Sequence, residues 1–161
     1  MTGAVRAAIA LGSNIDDPLE QVKRGFEELA SLPGTQLLSR SGLYRTAPVG
    51  YRDQPSFVNA CALVETTLAP RALLDALLEV ERRHGRVRAQ PNGPRTLDLD
   101  IVAYDNRVIE EPGLTIPHPR AHQREFVLAP LVDVWSDAEF PGKGSATDCL
   151  ARLERQGVER L

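Results

Sequence analysis

A strict two-residue alternation runs through the second half of the stretch Gly93-Pro94-Arg95-Thr96-Leu97-Asp98-Leu99-Asp100-Ile101. In a β-strand this alternation puts the leucines and the isoleucine on one face and both aspartates on the other. Residues two apart on a strand lie about 6.5 Å apart along its axis. Two carboxylates at that spacing can hold a pair of divalent cations about 3.5–4 Å apart, as in displacements at phosphorus.

The aspartate pair is unusual for a strand. Aspartate is depleted in strands, and two like charges on one face repel each other unless a cation lies between them. The alternative is an exposed edge strand on which Asp98 and Asp100 serve only solubility. The neighbouring residues favour the metal-binding interpretation.

Length and composition predict one compact domain over residues 1–161. The chain is 42% hydrophobic and 25% charged, as in an ordinary globular protein, and no apolar run approaches the roughly 20 residues of a membrane span. Its first ten residues lead into a strand pattern rather than a signal peptide, so we expect a cytoplasmic location without membrane attachment. Cys61 and Cys149 have no metal-binding or disulfide spacing, and we expect both to be reduced and structural.

Charge points to a small anionic ligand. The net charge of −3 argues against a general nucleic-acid binder. Arg86, Arg88 and Arg95 nevertheless lie in a stretch without any acid, which makes a local positive patch. Because guanidinium groups match phosphate oxygens, these arginines beside two metal-binding aspartates imply a triphosphate. Surface ion pairs are the alternative role for each arginine.

The order of predicted elements defines the fold class. Apolar spacing, capping residues and turn residues predict the order strand, helix, strand, strand, helix, strand. Irregular loops are expected at 46–55 and 86–94. The predicted strands are Val5 to Leu11, Thr35 to Arg45, Phe57 to Glu65 and Leu97 to Ile101, and the predicted helices run from Asp17-Pro18 to Pro33-Gly34 and from Pro70 to His84. This order is the α+β, ferredoxin-like βαββαβ core, an antiparallel sheet with helices on one face. Asp98 and Asp100 would then lie on the open face.

The remaining residues add to this core. We expect a short extra hairpin, with a short strand at Val108-Ile109 and a loop from Gly113 to Arg120, and C-terminal helices near Arg124 to Val132 and Thr147 to Gln156. Phe57 and Asn59 share one face of their strand, an arrangement suited to a flat heterocycle. Packing in the core is the alternative for Phe57, since large aromatic side chains are mostly buried.

The chain resembles the 6-hydroxymethyl-7,8-dihydropterin pyrophosphokinase family, ATP-dependent enzymes of folate biosynthesis that transfer pyrophosphate to a pterin alcohol. The resemblance extends over nearly the whole length, and its most specific part is the stretch that contains both aspartates. The matching stretches are Ala10-Leu11-Gly12-Ser13-Asn14, Tyr44-Arg45-Thr46-Ala47-Pro48, Gln54-Pro55-Ser56-Phe57-Val58-Asn59, Gly93 through Ile101, Pro117-His118 and Phe126-Val127-Leu128-Ala129-Pro130-Leu131.

This resemblance implies ATP as co-substrate, two Mg²⁺ ions and a hydroxymethyldihydropterin acceptor. The metal-binding residues would be Asp98 and Asp100, which with Arg86 and Arg95 would be the catalytic residues. The nucleotide-binding residues would be Glu81, Arg86, Arg88, Arg95, Ile101, Thr115, His118 and Arg124. The pterin would lie between Phe57 and Phe126, with Asn59 at its polar edge, Asp98 as a further substrate-binding residue, and the backbone of Thr46, Ala47, Pro48 and Val49 completing the pocket.

Three departures from the family concern the closed site. Phe57 stands where many relatives have tyrosine, Asn92 where some have a tryptophan in the loop, and Pro119 where some have tyrosine.

Two other classes of function remain as alternatives. An RNA-binding module could use the same sheet, although the acidic pair would repel phosphate. A metal-dependent regulatory module could bind a nucleotide without turnover. We expect a monomer, with a dimer through a sheet edge as the alternative.

Overall fold

The computed structural model describes residues 3–46, 56–85 and 96–161. The strands are β1 (Val5–Ser13), β2 (Thr35–Arg40), β3 (Tyr44–Thr46), β4 (Phe57–Thr66), β5 (Asp98–Tyr104), β6 (Ile109–Glu111), β7 (Leu114–Ile116), β8 (Glu139–Phe140), β9 (Gly144–Ser145) and β10 (Val158–Arg160). The helices are α1 (Pro18–Ala30), α2 (Pro70–Arg83), α3 (Glu125–Val134) and α4 (Ala146–Arg152). Among the described residues, no helix is long and apolar enough to cross a membrane.

The main sheet has the predicted ferredoxin-like order. Its strands run β10-β3-β4-β1-β5, with β2 also paired to β4, and the neighbours are antiparallel. β1 lies between β4 and β5. Among the described strands, the one that carries Asp98 and Asp100 is therefore at one end of the sheet, next to β1. The α+β prediction is confirmed.

One face of the sheet is covered by α1 and α2. Large aliphatic side chains from β1 and β5, among them Ile9, Leu11, Leu99 and Ile101, pack there in a single core with the apolar faces of both helices. The leucine and isoleucine side of the Asp98–Asp100 strand thus lies where the alternation predicts. Burial of such side chains is the main source of stability in a domain of this size.

The opposite face is not open along its whole length, contrary to the prediction of helices on one face only. Packing of α3 and α4 covers part of it through a second core that includes Ala8, Cys61, Val102 and Leu128. This packing has no clear signal in the sequence because the β1 residues on this face are small, and small residues have weak hydrophobic periodicity. The face remains accessible near Asp98, between the sheet and the start of α3.

The predicted second strand, Thr35 to Arg45, is wrong as a single element. The structure divides it into β2 and β3, with residues 41–43 lying opposite only two residues of β4. The Ser41 hydroxyl accepts the Cys61 N–H at 2.8 Å, taking the place of a backbone carbonyl in the ladder. A bulge of this kind re-aims the strand that follows it, and here that strand is β3.

Smaller differences concern the ends of elements. Asp17 does precede α1, but its φ is +65° and its side chain makes no capping hydrogen bond. The predicted extra hairpin is formed by β6 and β7. Its strands differ in their bounds, because the strand predicted at Val108-Ile109 lies at β6 and the predicted loop Gly113 to Arg120 contains β7. The last helix ends at Arg152, and the residues after it form β10, which the sequence analysis did not predict.

Candidate active site

Three neighbouring strands present a row of residues toward α3. Gly12 of β1 lies directly opposite Asn59 of β4 on one side and Asp98 of β5 on the other. The next row along the strands is Cys61, Ala10 and Asp100. Directly opposed residues in an antiparallel sheet share a face, and adjacent strands lie about 4.8 Å apart. The Cα atoms of Asn59 and Asp98 are therefore two strand spacings, about 10 Å, apart on the two sides of Gly12.

A pocket lies over this row. Its floor is formed by Ala10, Gly12 and Val102, and the polar side chains of Asn59, Asp98 and Asp100 border it; Phe57, Phe126, Val127, His118 and Arg124 complete the described lining, together with Leu11, Thr46 and Ala60. Phe57 comes from β4, whereas Phe126 and Val127 come from the first turn of α3. The pocket thus has one aromatic side chain on the sheet and one on the helix.

Gly12 creates much of the space above the sheet. A Cβ at this position would come within 3.0 Å of Asn59 Oδ1 and 4.0 Å of Phe57 Cδ1. The 3.0 Å approach to Asn59 is tight enough that the amide would have to shift. Gly12 was not among the predicted site residues, although it belongs to one of the stretches on which the family resemblance rests. The available signal was the run of small residues at positions 8, 10 and 12, between apolar side chains that face the other core.

The Asn59 amide is held in a defined orientation. Its Nδ2 donates a hydrogen bond to Thr46 Oγ1 at 2.9 Å. Both residues are buried: Asn59 is 7% exposed and Thr46 is 5% exposed. Oδ1 therefore lies on the side of Gly12. Thr46 was predicted to contribute through its backbone, and the structure adds this side-chain contact. A buried and oriented amide offers one donor and one acceptor edge to a planar ligand.

Asp98 and Asp100 meet the requirements of a site for a hard cation. Both line the pocket, both are half-buried, and their carboxylate oxygens are the donors that Mg²⁺ prefers. Within the described residues there is no cluster of three or more metal-ligating side chains. Mg²⁺ commonly uses one or two carboxylates together with substrate phosphates and water, so two carboxylates suit a metal that arrives with a nucleotide.

His118 and Arg124 lie at the β5 end of the pocket. The His118 N–H donates to the Val102 carbonyl at 3.1 Å, and this bond ties the segment after β7 to the edge of β5. Burial, followed by the charge of Arg124, lowers the pKa of His118, while Asp98 acts in the opposite direction. This shift favours the neutral form of the ring. The Arg124 guanidinium lies over the Phe126 ring, 5.4 Å from its centroid, within range of a cation–π contact.

Three predicted nucleotide-binding residues lie outside the described pocket lining. Glu81 is 3% exposed, and its carboxylate accepts the Leu99 N–H at 2.7 Å, between the two aspartates in sequence. This bond joins α2 to the edge of β5 that faces away from β1. Ile101 is buried in the core beneath α1 and α2, and Thr115 is exposed on β7, opposite Glu110.

Six other predicted residues fall outside the residues that the structure describes. They are Ala47, Pro48, Val49, Arg86, Arg88 and Arg95. The departure at Asn92 falls there as well, as do the two predicted irregular loops apart from Thr46, which ends β3; Pro119 is described and exposed.

A carboxylate pair and two aromatic side chains border one pocket of a ferredoxin-like sheet, a combination suited to a hard cation beside a planar ligand. The family is identified by direct comparison. Residues 8–136 match the model of the 7,8-dihydro-6-hydroxymethylpterin-pyrophosphokinase family, and the chain belongs to that family. The resemblance inferred from the sequence motifs is confirmed.

Relatives from distant bacteria match almost end to end. The chain is 44% identical to the 2-amino-4-hydroxy-6-hydroxymethyldihydropteridine pyrophosphokinase of Haemophilus influenzae, with 98% of each chain covered. It is 39% identical to the protein of the same name from Bacillus subtilis, over 88% of this chain and 85% of that one.

Solved structures support the fold. The Plasmodium falciparum HPPK-DHPS protein, in a structure with pteroate, superposes with a TM-score of 0.74 over 92% of this chain at 13% identity. This chain spans 43% of that longer protein. At this level of identity the similarity concerns the fold alone.

Proposed function

We propose that this chain transfers the terminal diphosphate of ATP to the hydroxymethyl group of 6-hydroxymethyl-7,8-dihydropterin, producing AMP and the pterin diphosphate. Membership of the pyrophosphokinase family and near end-to-end matches to proteins of that name support the reaction. The observation that carries it in the structure is the row Asn59, Gly12 and Asp98, in which a heterocycle-binding amide and a metal-binding carboxylate lie on two sides of one glycine.

The acceptor would lie over Gly12, between Phe57 and Phe126. The two rings are on opposite walls of the pocket, and a planar pterin between them would bury aromatic surface on both sides. Asn59 would bind its polar edge through Nδ2 and Oδ1, in the orientation fixed by Thr46. This placement directs the hydroxymethyl group of the pterin toward Asp98. The backbone of Thr46 to Val49 is the proposed remainder of the pocket.

The nucleotide would bind at the β5 end. Asp98 and Asp100 would hold two Mg²⁺ ions, which when bound lower the charge repulsion between the triphosphate and the attacking oxygen. His118 and Arg124 line the pocket beside the carboxylates, and we propose that they contact phosphate oxygens. Arg86, Arg88 and Arg95 would add positive charge from the neighbouring stretch, while Ile101 and Thr115 lie near the proposed nucleotide position. Glu81 would act through Leu99, by fixing the strand between the two aspartates.

The reaction needs positioning and charge stabilisation rather than a covalent intermediate. The hydroxymethyl oxygen of the pterin attacks the β-phosphorus of ATP, and the bond from that phosphorus to the α–β bridging oxygen breaks. AMP leaves with the electron pair of that bond, and the alcohol proton passes to the Asp100 carboxylate or to solvent. The pocket residues hold the two substrates in line; no serine or cysteine nucleophile is required.

The proposal extends to the domain organisation, the oligomeric state and the cellular location of the chain. We propose one domain over residues 1–161, active as a monomer in the cytoplasm, where ATP is abundant. Cys61 and Cys149 are both free and buried, which supports a reducing compartment.

The proposal is tested by incubating the purified chain with ATP, MgCl₂ and 6-hydroxymethyl-7,8-dihydropterin and measuring AMP. We expect AMP to form only when all three are present. AMP formation without the pterin, or binding of both substrates without AMP, would contradict the proposed reaction and support a regulatory nucleotide-binding module instead. Phe126→Ala serves as a second test: we expect pterin affinity, measured by fluorescence titration, to fall about tenfold, since loss of one aromatic stack costs of this order.

A further inference from the structure

The residues after α4 join the two walls of the acceptor pocket. We call Gln156–Leu161 the C-terminal strap. On the sheet side, β10 of the strap pairs with β3, with Val158 opposite Thr46 and Arg160 opposite Tyr44. The Leu161 N–H also donates to the Leu43 carbonyl at 2.8 Å. The strap is thus paired with β3, the strand whose Thr46 holds the Asn59 amide in place.

The same strap contacts α3 at both ends of the helix. At the first residue of α3, the Glu125 N–H donates to Gln156 Oε1 at 2.9 Å, and the Gln156 N–H donates to the Glu125 carboxylate at 2.6 Å. Near the last residue, Arg160 Nη1 donates to both carboxylate oxygens of Asp133, at 3.2 and 3.1 Å. Phe126, the helix-side wall of the pocket, lies between these two attachment points.

Asp133 receives hydrogen bonds from the sheet as well as from the strap. The Tyr44 hydroxyl donates to Asp133 Oδ2 at 2.7 Å, and the Gly42 N–H donates to the same oxygen at 3.1 Å. Burial, followed by the Asp133 carboxylate, raises the pKa of Tyr44 to about 12, so the hydroxyl keeps its proton. Arg160 Nη1 also donates to the Tyr44 oxygen at 2.8 Å. One carboxylate therefore joins α3, β3 and β10.

The fit around Arg160 is close. A Cβ at Gly42 would lie 2.6 Å from a guanidinium nitrogen of Arg160, so the backbone and the guanidinium are in direct contact. The guanidinium also lies over the Tyr44 ring, 5.4 Å from its centroid. The Asp133 side chain is 22% exposed and that of Arg160 is 59% exposed. Arg160 thus lies at the rim, whereas the carboxylate that it holds is largely covered.

Register connects this cluster to the pocket. Arg160 lies opposite Tyr44, Tyr44 opposite Asn59, and Asn59 opposite Gly12, in one row on the face that α3 covers. At about 4.8 Å between strands, Arg160 is two strands, or about 10 Å, from Asn59. The row that begins with the cluster therefore ends at the polar residues of the pocket.

We propose that Arg160, acting through Asp133 and Tyr44, is a positioning residue that fixes the separation between the sheet wall and the helix wall of the acceptor pocket. The proposal rests on the proposed pterin acceptor. A planar ligand between two rings gains full contact only when the rings are held at the matching separation, and a loosened wall costs affinity through the ordering that binding must then supply. The carboxylate pair on β5 lies on the far side of Gly12 from this cluster, so the cluster should affect nucleotide binding much less than pterin binding.

The test compares Arg160→Gln and Tyr44→Phe with Glu159→Gln in the full chain. Glu159 is the adjacent residue of β10 and pairs with Arg45 at 3.3 Å, with 68% and 54% of the two side chains exposed. Exposed pairs of this kind contribute little, which makes Glu159→Gln a matched control. Dissociation constants for 6-hydroxymethyl-7,8-dihydropterin and for MgATP are measured separately, together with the melting temperature of each variant.

We expect Arg160→Gln and Tyr44→Phe to weaken pterin binding about tenfold, the factor for loss of one or two hydrogen bonds, with MgATP binding within twofold of the unsubstituted chain. Arg160→Lys, which keeps a donor cation beside Asp133, should recover most of the affinity. Glu159→Gln should leave both constants unchanged.

Two outcomes overturn the inference alone: unchanged pterin binding in Arg160→Gln and Tyr44→Phe whatever their melting temperatures, or an equal loss of pterin and MgATP affinity. A loss in Arg160→Lys as large as in Arg160→Gln also overturns it, because the contact with Asp133 would then not matter. Failure of the unsubstituted chain to bind the pterin overturns the proposed function, and the inference with it.

Discussion

The two faces of the central sheet are made from the same strands but differ in the size of their side chains. Toward α1 and α2, β1 presents Ile9 and Leu11, which are 0% and 1% exposed. Toward α3, the same strand presents Ala8, Ala10 and Gly12. The first face is filled by its own side chains, and the second leaves room above the sheet.

If the proposed site is right, this difference separates stability from ligand binding within one strand. Close packing of large side chains stabilises the domain, and every atom added or removed there has a cost. On the α3 face, small residues give up packing energy at Ala10 and Gly12 and create the pocket bordered by Asn59 and Asp98. Substitutions on one face should therefore change stability, and substitutions on the other should change binding or turnover.

The largest expected effect is at the carboxylates. Asp98→Asn or Asp100→Asn removes a charge from the pocket face, so we expect AMP formation to fall by a factor on the order of 100 or more, because charge stabilisation of the transferred phosphate is lost. The melting temperature should not decrease. Asp105→Asn is the matched control, since Asp105 is exposed, just beyond β5, with a φ of +55° that asparagine tolerates. Near-normal turnover by Asp98→Asn would contradict the site.

The second largest expected effect is on the face of the sheet that α1 and α2 cover. Ile9→Ala should lower the free energy of unfolding by about 2–5 kcal/mol, the usual cost of truncating a fully buried aliphatic side chain. Urea denaturation measures the change, and Leu38→Ala is the control because Leu38 is 38% exposed on β2. The pterin dissociation constant of folded Ile9→Ala should remain unchanged. If pterin affinity fell as much as stability, the two faces would not be independent.

A pair of glycines allows a direct comparison between the faces. Gly12→Ala places a methyl group 3.0 Å from Asn59 Oδ1, and Gly25→Ala places one 2.8 Å from Leu11 Cδ2 on the opposite side. We expect Gly12→Ala to weaken pterin binding several-fold, about 1 kcal/mol, with little change in stability. Gly25→Ala should lower stability by about 1 kcal/mol, through overpacking, and leave pterin affinity intact. The reverse assignment of effects would refute the division.

The smallest effect is a pH dependence on the pocket face. Because the pKa of His118 is lowered in the folded chain, its contribution to stability is present above the ordinary histidine value of about 6.5 and is lost as the pH falls below it. Unfolding free energies measured between pH 5 and pH 8 in a chelator should therefore decline more steeply in acid for the unsubstituted chain than for His118→Gln. Equal slopes would show that His118 titrates alike in both states.

The sequence was sufficient for the core of the fold and for the β5 carboxylates. Alternation from Leu97 to Ile101 predicted which side chains enter the core, because period-two burial is a local property of a strand. Phe57 and Asn59 were assigned to one face for the same reason. Family membership then followed from motifs whose order and spacing extend over the whole chain.

The parts that the sequence did not predict depend on contacts between distant segments. The division into β2 and β3 arises from a bond between Ser41 and the Cys61 backbone, and neither residue has a local signal for it. β10 is only three residues long and exists because β3 accepts it as a partner. The contribution of Gly12 to the pocket depends on Asn59, 47 positions further along the chain.

The most direct measurement is ³¹P NMR of the products formed by the purified chain from ATP, MgCl₂ and 6-hydroxymethyl-7,8-dihydropterin. We predict equal amounts of AMP and a pterin diphosphate ester, with neither formed by Asp98→Asn under the same conditions. ADP together with a pterin monophosphate, or turnover that survives loss of the Asp98 carboxylate, would contradict diphosphate transfer at this face of the sheet.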